Sequence, residues 1–317
     1  MAFDLSSLPV DEIRRRFVQD GEPVSGQLLN RLRRDPRQGV RQLYDLLRRR
    51  QEREREERLR LDSMLNFERV LWKSGVTRIA GVDEVGVGPL AGPVVAAAVV
   101  FRPGTEVPGV DDSKRLDPQR REELAAAIRG AAAAVAVGLA EVADVDRVNV
   151  YHAGLLAMRR AVEALPEPPE HILLDARELA EVPIPQNRFD KGDGINFSIA
   201  AASIVAKTHR DGLMVELDRR YPEYGFARHK GYGTAEHQAA IRRHGPCPVH
   251  RASFQFIREL CGEFSDLFYE LRDRLGAAEA RSELAAFEDA LPEHRETLAE
   301  EEYKKLRLMV TRRWSTI

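Results

Sequence analysis

Apolar and polar positions fall into three rhythms along the 317-residue chain. At both ends, over residues 1–80 and 262–317, leucines recur among Arg and Glu with few β-branched residues, which predicts helices. Between them the pattern changes. Thr77–Glu84 and Pro93–Phe101 are Val- and Ile-containing runs bounded by Gly and Pro, which predicts two strands. Ala132–Val142 is a third apolar run and His171–Asp175 a short fourth. Helical patterns occupy Pro118–Arg129 and Val150–Ala164. A longer one covers Asn196–Arg220, where Ile199, Ala202, Ala206, Leu213 and Leu217 share a helical period. Consecutive strands, then strands alternating with helices, predict a mixed α/β layer sandwich.

Composition narrows the class. With 43% hydrophobic residues a packed core is affordable, and length alone suggests about two domains. No run approaches the ~18 to 20 apolar residues of a membrane helix, and no secretory leader pattern opens the chain. Cys247 and Cys261 are the only cysteines, so a disulfide framework is excluded and a reducing, cytoplasmic setting is expected. The net charge of −2 argues, as a total, against a basic nucleic-acid binder. Its distribution says otherwise: +5 over residues 1–80, −3 over 81–261 and −4 over 262–317. The alternating Glu and Arg of Gln51–Arg60 form a solvated helix face or, on the sharper reading, a basic arm against a polyanion.

The segment Gly81-Val-Asp-Glu-Val-Gly-Val-Gly-Pro-Leu-Ala-Gly92 carries the chemistry. Gly86-x-Gly88 is not a dinucleotide loop. Gly92 stands one position too far, Pro93 and a β-branched run replace the required helix, and Asp83 and Glu84 would repel a phosphate. Two carboxylates at the end of an apolar strand are costly to desolvate without a partner. Asp175 closes another buried-looking strand, and Asp193 sits in Lys191-Gly-Asp-Gly194 just before the long helix, whose positive end favours an ionised group. Four carboxylates at neighbouring element ends point to oxygen-only coordination of Mg²⁺ or Mn²⁺, a set suited to two-metal phosphodiester hydrolysis. Because strand neighbours face opposite ways, either the strand ends between Asp83 and Glu84, or Glu84 contributes partly through its carbonyl.

These residues resemble the signature of bacterial ribonuclease HII, the type 2 ribonuclease H family. The resemblance runs through Gly81–Val95, Asp112-Ser-Lys-Arg-Leu116, Asn149-Val-Tyr-x-Ala153, Leu174-Asp175, Lys191-Gly-Asp193, Ile199–Lys207, Tyr224-Gly-Phe, His229–Thr234 and His250-Arg-x-Ser-Phe254. It implies a ribonuclease-H-like mixed five-stranded sheet flanked by helices, here with helical N- and C-terminal extensions. Charge and pattern set a basic extension over 1–62 before the catalytic domain over 63–260 that carries the resemblance, and an acidic extension over 261–317, a helix or helix pair, after it. The implied activity is endonucleolytic cleavage of the RNA strand of RNA–DNA hybrids, and nicking 5′ of ribonucleotides embedded in duplex DNA. Such cleavage leaves a 3′-hydroxyl and a 5′-phosphate, removes misincorporated ribonucleotides, and uses Mg²⁺ or Mn²⁺, two ions during catalysis. Carried over by position, Asp83, Glu84, Asp175 and Asp193 are the catalytic acids, with Asp83, Glu84 and Asp175 as metal ligands. Gly86, Val87, Gly88, Lys114, Ser203, Lys207 and Tyr232 fall at substrate-binding positions. The expected state is a cytoplasmic monomer.

Two departures qualify this. The family has Gly-Arg-Gly or Gly-Lys-Gly where this chain reads Gly86-Val87-Gly88. The glycine backbone still suits close approach to a 2′-hydroxyl, but a charged contact worth about 1 to 3 kcal/mol is missing. The alternative reading is therefore a non-catalytic or relaxed-specificity nucleic-acid-binding relative. Gly194-Ile-Asn196 also lacks the family's small polar residues. Finally, His244-x-x-Cys247-x-x-His250 offers only three ligands at no common zinc spacing and reads as turn and surface histidines, with a packing role open to His250.

Overall fold

The computed structural model describes Leu5 and residues 8–262, 264–278 and 280–315. Helices α1 (Val10–Arg14, continued as a π turn), α2 (Gly26–Arg34), α3 (Gln38–Met64) and α4 (Asn66–Lys73) precede strands β1 (Ile79–Val85) and β2 (Val94–Val100). Then come α5 (Pro118–Ala131), β3 (Ala134–Ala140), α6 (Val142–Glu163), β4 (His171–Asp175), β5 (Gln186–Phe189) and α7 (Phe197–Arg220). Six shorter helices follow: α8 (Phe226–His229), α9 (Ala235–His244), α10 (Gln255–Leu260), α11 (Asp266–Gly276), α12 (Arg281–Ala290) and α13 (Glu300–Trp314).

The chain forms two compact units. The first comprises Met1–Val85, Val95–Leu139 and Gly154–Arg210. Its sheet has the order β3-β2-β1-β4-β5. β1 runs antiparallel to β2, with Asp83 opposite Ala97, and parallel to β4, with Val82 opposite Leu174. Every residue of β2 is buried, as expected for a strand covered on both faces. Ala97 and Val99 pack with α5 and α7 residues such as Leu124, Ile128, Ala201 and Val205. A Cβ on Gly81 would lie 2.1 Å from the Ser198 carbonyl carbon, so only glycine lets α7 rest on β1. Val135 and Val137 join the α5/α7 layer, so the alternate residue Gly138 faces the other side. There a Cβ would meet Ala157 O at 2.2 Å, because the second half of α6 crosses close over β3. At the N-terminal end, Ile13, Phe17, Leu32, Val40, Leu43 and Leu47 build a small core of their own from α1 to α3.

The predicted strands are present, β4 over the same residues and the other three with ends shifted by one or two. The fifth strand carries no apolar alternation: β5 is Gln-Asn-Arg-Phe, an edge strand held by parallel pairing to β4. The helix predicted from Val150 is the second half of α6, which Asn149 breaks at φ 66° while its side chain accepts from Tyr151 N and His152 N.

The second unit comprises Gly86–Val94, Ala140–Ala153 and Asp211–Ile317. Ala91, Met214, Tyr224, Phe226, Ile241 and Ile257 form one core. Phe268, Leu271, Leu275, Leu284, Phe287, Leu306 and Val310 form another within α11, α12 and α13. The acidic tail is thus three helices with an apolar interior. Among the described residues, no helix is long and apolar enough to cross a membrane.

Candidate active site

In the first unit β1 continues through Val85, which still pairs with Val95, so the strand does not end between Asp83 and Glu84. Their side chains therefore leave opposite faces of the sheet. Asp83, 5% exposed, shares the face of Gly81 and α7, where Ser203 draws its carboxyl pKa downward. Its Oδ1 accepts from Glu84 N at 2.8 Å. Glu84 turns toward α6 and Arg177, whose Nη1 lies 3.4 Å from its Oε1. Glu84 Oε2 is buried with no hydrogen-bond partner.

Asp175, at the end of β4, accepts from Gly192 N at 2.6 Å, which ties it to the turn that presents Asp193. Lys191 enters that turn in the left-handed region (φ 58°), and Asp193 is buried within it. Lys114 reaches in from the loop before α5 and places Nζ 2.9 Å from Asp193 Oδ2. Its loop is anchored by Arg121 Nη1, which donates to the carbonyls of Ser113 and Leu116. Ser203 is buried, and its hydroxyl lies 2.8 Å from that of Ser113. Lys207 follows one turn later on α7, half-buried.

A residue the sequence did not single out holds this region together. Glu68 on α4 is fully buried and accepts from Ser198 N (3.0 Å), Ser198 Oγ (2.7 Å) and Asn196 Nδ2 (3.1 Å). It thereby caps the start of α7, where the first helical N–H groups lack intrahelical partners. Asn196 in turn donates its backbone N–H to Gly192 O and caps Ile199 N with its side chain. The residues after the fourth acid are thus fixed by Glu68 despite departing from the family pattern.

Electrostatics unify the carboxylates. Burial, then the charges of Glu84 and Asp175, push the Asp83 carboxyl well above the usual carboxylate range, with Asp193 adding to the effect. Burial likewise raises Glu84 against the pull of Arg177, and raises Asp175 against the Gly192 hydrogen bond. Such mutual repulsion in a dry site is what a bound cation relieves. The all-oxygen donor set fits a hard divalent ion, to which Glu84, with its side chain on the opposite face from Asp83, would contribute through its backbone carbonyl. Among the described residues, no three His, Cys, Asp or Glu side chains are arranged to hold a metal as they stand. Lys114 supplies positive charge at Asp193.

The glycine loop belongs to the second unit. Gly86 and Gly92 bracket it at φ 90° and 83°, a region costly to residues with a Cβ. A Cβ on Gly88 would sit 3.6 Å from the Tyr232 ring, itself 44% exposed, so the loop and Tyr232 are neighbours. Val87 is half-buried. Beneath the loop lies Arg251, fully buried, whose guanidinium donates to Gly86 O (2.6 Å), Val87 O (3.0 Å) and Gly92 O (2.8 Å from Nη2). The turn after Arg251 is fixed by Asp146, which accepts from Ala252 N, Ser253 N and Ser253 Oγ. Arg251 stands in a motif quoted above, yet nothing local marks it as buried.

In the histidine-rich segment His244 is exposed, as its surface reading expects, and His250 takes the packing role left open to it. His250 is buried, and its Nε2 lies 3.1 Å from that of His237. Its Nδ1 accepts from Cys247 N, and His237 Nδ1 lies 2.9 Å from Tyr232 O. The hydrogen bonds assign one set of neutral tautomers: His250 donates from Nε2 to His237, which donates from Nδ1 to Tyr232 O. Burial lowers both imidazoles to about 4, consistent with neutrality.

Comparison with known proteins identifies the family. The Ribonuclease HII family model matches residues 80–257, and the Ribonuclease HII N-terminal domain model matches residues 9–72. The chain is 53% identical over 254 residues to Ribonuclease HII of Myxococcus xanthus, covering 80% of this chain and 87% of that one. It is 51% identical over 229 residues to Ribonuclease HII of Geobacillus kaustophilus, covering 72% and 88%. The crystal structure of ribonuclease H2 from Pyrococcus horikoshii OT3 superimposes with a TM-score of 0.50 at 24% identity, over 58% of this chain and 96% of that one, a likeness of fold. Helices α11 to α13 extend beyond both matched regions. A five-stranded sheet with acids at its strand ends, and half-identical relatives over most of the length, place this nuclease in the ribonuclease HII family of hydrolases.

Proposed function

We propose that the chain cleaves the RNA strand of RNA–DNA hybrids and nicks duplex DNA 5′ of single embedded ribonucleotides, removing misincorporated ribonucleotides and leaving a 3′-hydroxyl and a 5′-phosphate. The observation that carries this reading is the convergence of charge on Asp83, a buried carboxylate raised by burial and by the charges of Glu84, Asp175 and Asp193. Asp83, Glu84 and Asp175 would hold Mg²⁺ or Mn²⁺, with Asp193 beside them. Bound there, two such ions supply a water activated for attack and charge stabilisation at the leaving oxygen. Gly192 N holds the Asp175 carboxylate in register. Lys114, on a loop braced by Arg121, and Lys207 offer positive charge to backbone phosphates. The glycine loop and Tyr232 frame the sugar at the junction. Two free cysteines support a reducing, cytoplasmic setting, and a monomer is the proposed state.

Retention of all four acids supports catalysis over the non-catalytic reading suggested by Val87. The test is a DNA duplex carrying one ribonucleotide, offered with Mg²⁺ or Mn²⁺. The expected product is a single nick 5′ of the ribonucleotide, and Asp83→Asn should lower kcat by on the order of 10³ or more, the scale of losing one member of a catalytic unit. Persistent cutting by Asp83→Asn would remove the acids from the mechanism. No nick from the wild type where Val87→Arg cuts would favour the binding relative.

A further inference from the structure

We propose that Arg251 is a positioning residue that sets the ribose selectivity of the glycine loop. This rests on the reading that the loop faces the sugar at the scissile junction.

Arg251 is buried at 0% exposure, and its planar guanidinium forks onto three loop carbonyls, those of Gly86, Val87 and Gly92. Its own backbone N–H donates to Leu90 O at 2.9 Å, so one residue binds both limbs of the loop. No peptide among the described residues is cis. In a trans peptide the C=O of one residue and the N–H of the next point in opposite directions. Gripping Gly86 O and Val87 O from below therefore turns the N–H groups of Val87 and Gly88 away from the guanidinium. Two successive donors aimed the same way suit an electronegative oxygen. At Gly92 the next residue is Pro93, which has no N–H, so that contact serves purely as an anchor.

The device explains how a loop without the family's basic side chain keeps a defined donor face. Val87 contributes its peptide groups, and the positive charge that shapes the loop comes from Arg251, 165 residues distant from Gly86 in the chain. A lysine at 251 would keep the charge but not the planar fork that reaches several acceptors at fixed angles. The footing of Arg251 is itself built, because Asp146 holds the backbone of residues 252 and 253.

The test uses the full chain and two duplexes of one sequence, one all-DNA and one with a single ribonucleotide. The readout is the ratio of the all-DNA duplex Ki, as competitor, to the KM for the ribonucleotide duplex. Arg251→Lys should lower that ratio about tenfold, chiefly through KM, with Ki nearly unchanged. Val87→Pro, which deletes one donor while leaving the carbonyls in place, should lower it in the same way and serves where Arg251→Lys fails to fold. A purely structural role would lower the unfolding midpoint and move Ki and KM together, overturning the proposal. So would an unchanged ratio in well-folded variants whose wild type discriminates. A wild type with a ratio near one would instead overturn the underlying reading of the loop, and this proposal with it.

Discussion

The Lys114 ammonium lies 2.9 Å from Asp193 Oδ2, joining a side chain that is 76% exposed to one that is 5% exposed. The pair spans 79 residues of sequence and closes over the acidic cluster. Asp193, foremost among the causes, raises the Lys114 amine, so the cation persists throughout the neutral range. An ammonium so placed competes with any other cation for the same carboxylate. Because it is largely solvated, its contribution is small, about 1 kcal/mol. Lys114→Met should therefore bind Mn²⁺ roughly fivefold more tightly in the metal-free protein, while the KM for nucleic acid rises. Isothermal titration and steady-state kinetics would measure the two effects. Weaker Mn²⁺ binding would show that Lys114 supports the cation site.

Glu68 links the N-terminal helices to the start of α7 through three accepted hydrogen bonds. Glu68→Ala leaves Ser198 N–H and the Asn196 amide buried without that partner, which costs roughly 3 kcal/mol. Ser198 rests on Gly81, two residues before Asp83, and Asn196 lies three after Asp193. Both loss of stability and a fall in kcat of about tenfold are therefore expected, with KM little changed. Calorimetry alongside kinetics separates them: a lowered midpoint with unaltered kcat would mean the helix start does not govern the acids.

His237 and His250 share one hydrogen bond and sit among His229, Tyr224 and Cys247. Folding lowers each imidazole from 6.5 to about 4, so the unfolded chain takes up protons that the folded chain refuses. The resulting stability is present above pH 6.5 and is lost as pH falls toward 4, with an upper scale of roughly 3 kcal/mol per imidazole. Hydrogen exchange over residues 229–251 should accelerate across that window at matched intrinsic rates. A double variant, His237→Asn with His250→Asn, should flatten the dependence; a full acid response in that variant would assign it elsewhere.

The sequence by itself determined the layers and the chemistry. Val-rich runs cut by Gly and Pro marked β1 and β2, helical spacing marked α5 and α7, and acids at strand ends marked Asp83, Glu84 and Asp175. These are local signals, because burial on a sheet face or helix stripe imposes a short period on the residues themselves. Only tertiary structure decided the rest. β5, with no apolar period, exists because β4 offers it a parallel edge. Glu84 is turned from Asp83 because β1 keeps its pairing through Val85. Arg121 and Arg251 act on backbone groups, and Glu68 on one backbone N–H and two distant side chains, none of which leaves a local trace in side-chain pattern. A buried charge of this kind is satisfied by long-range carbonyls and amides, and those partners are settled only when the chain has closed around them.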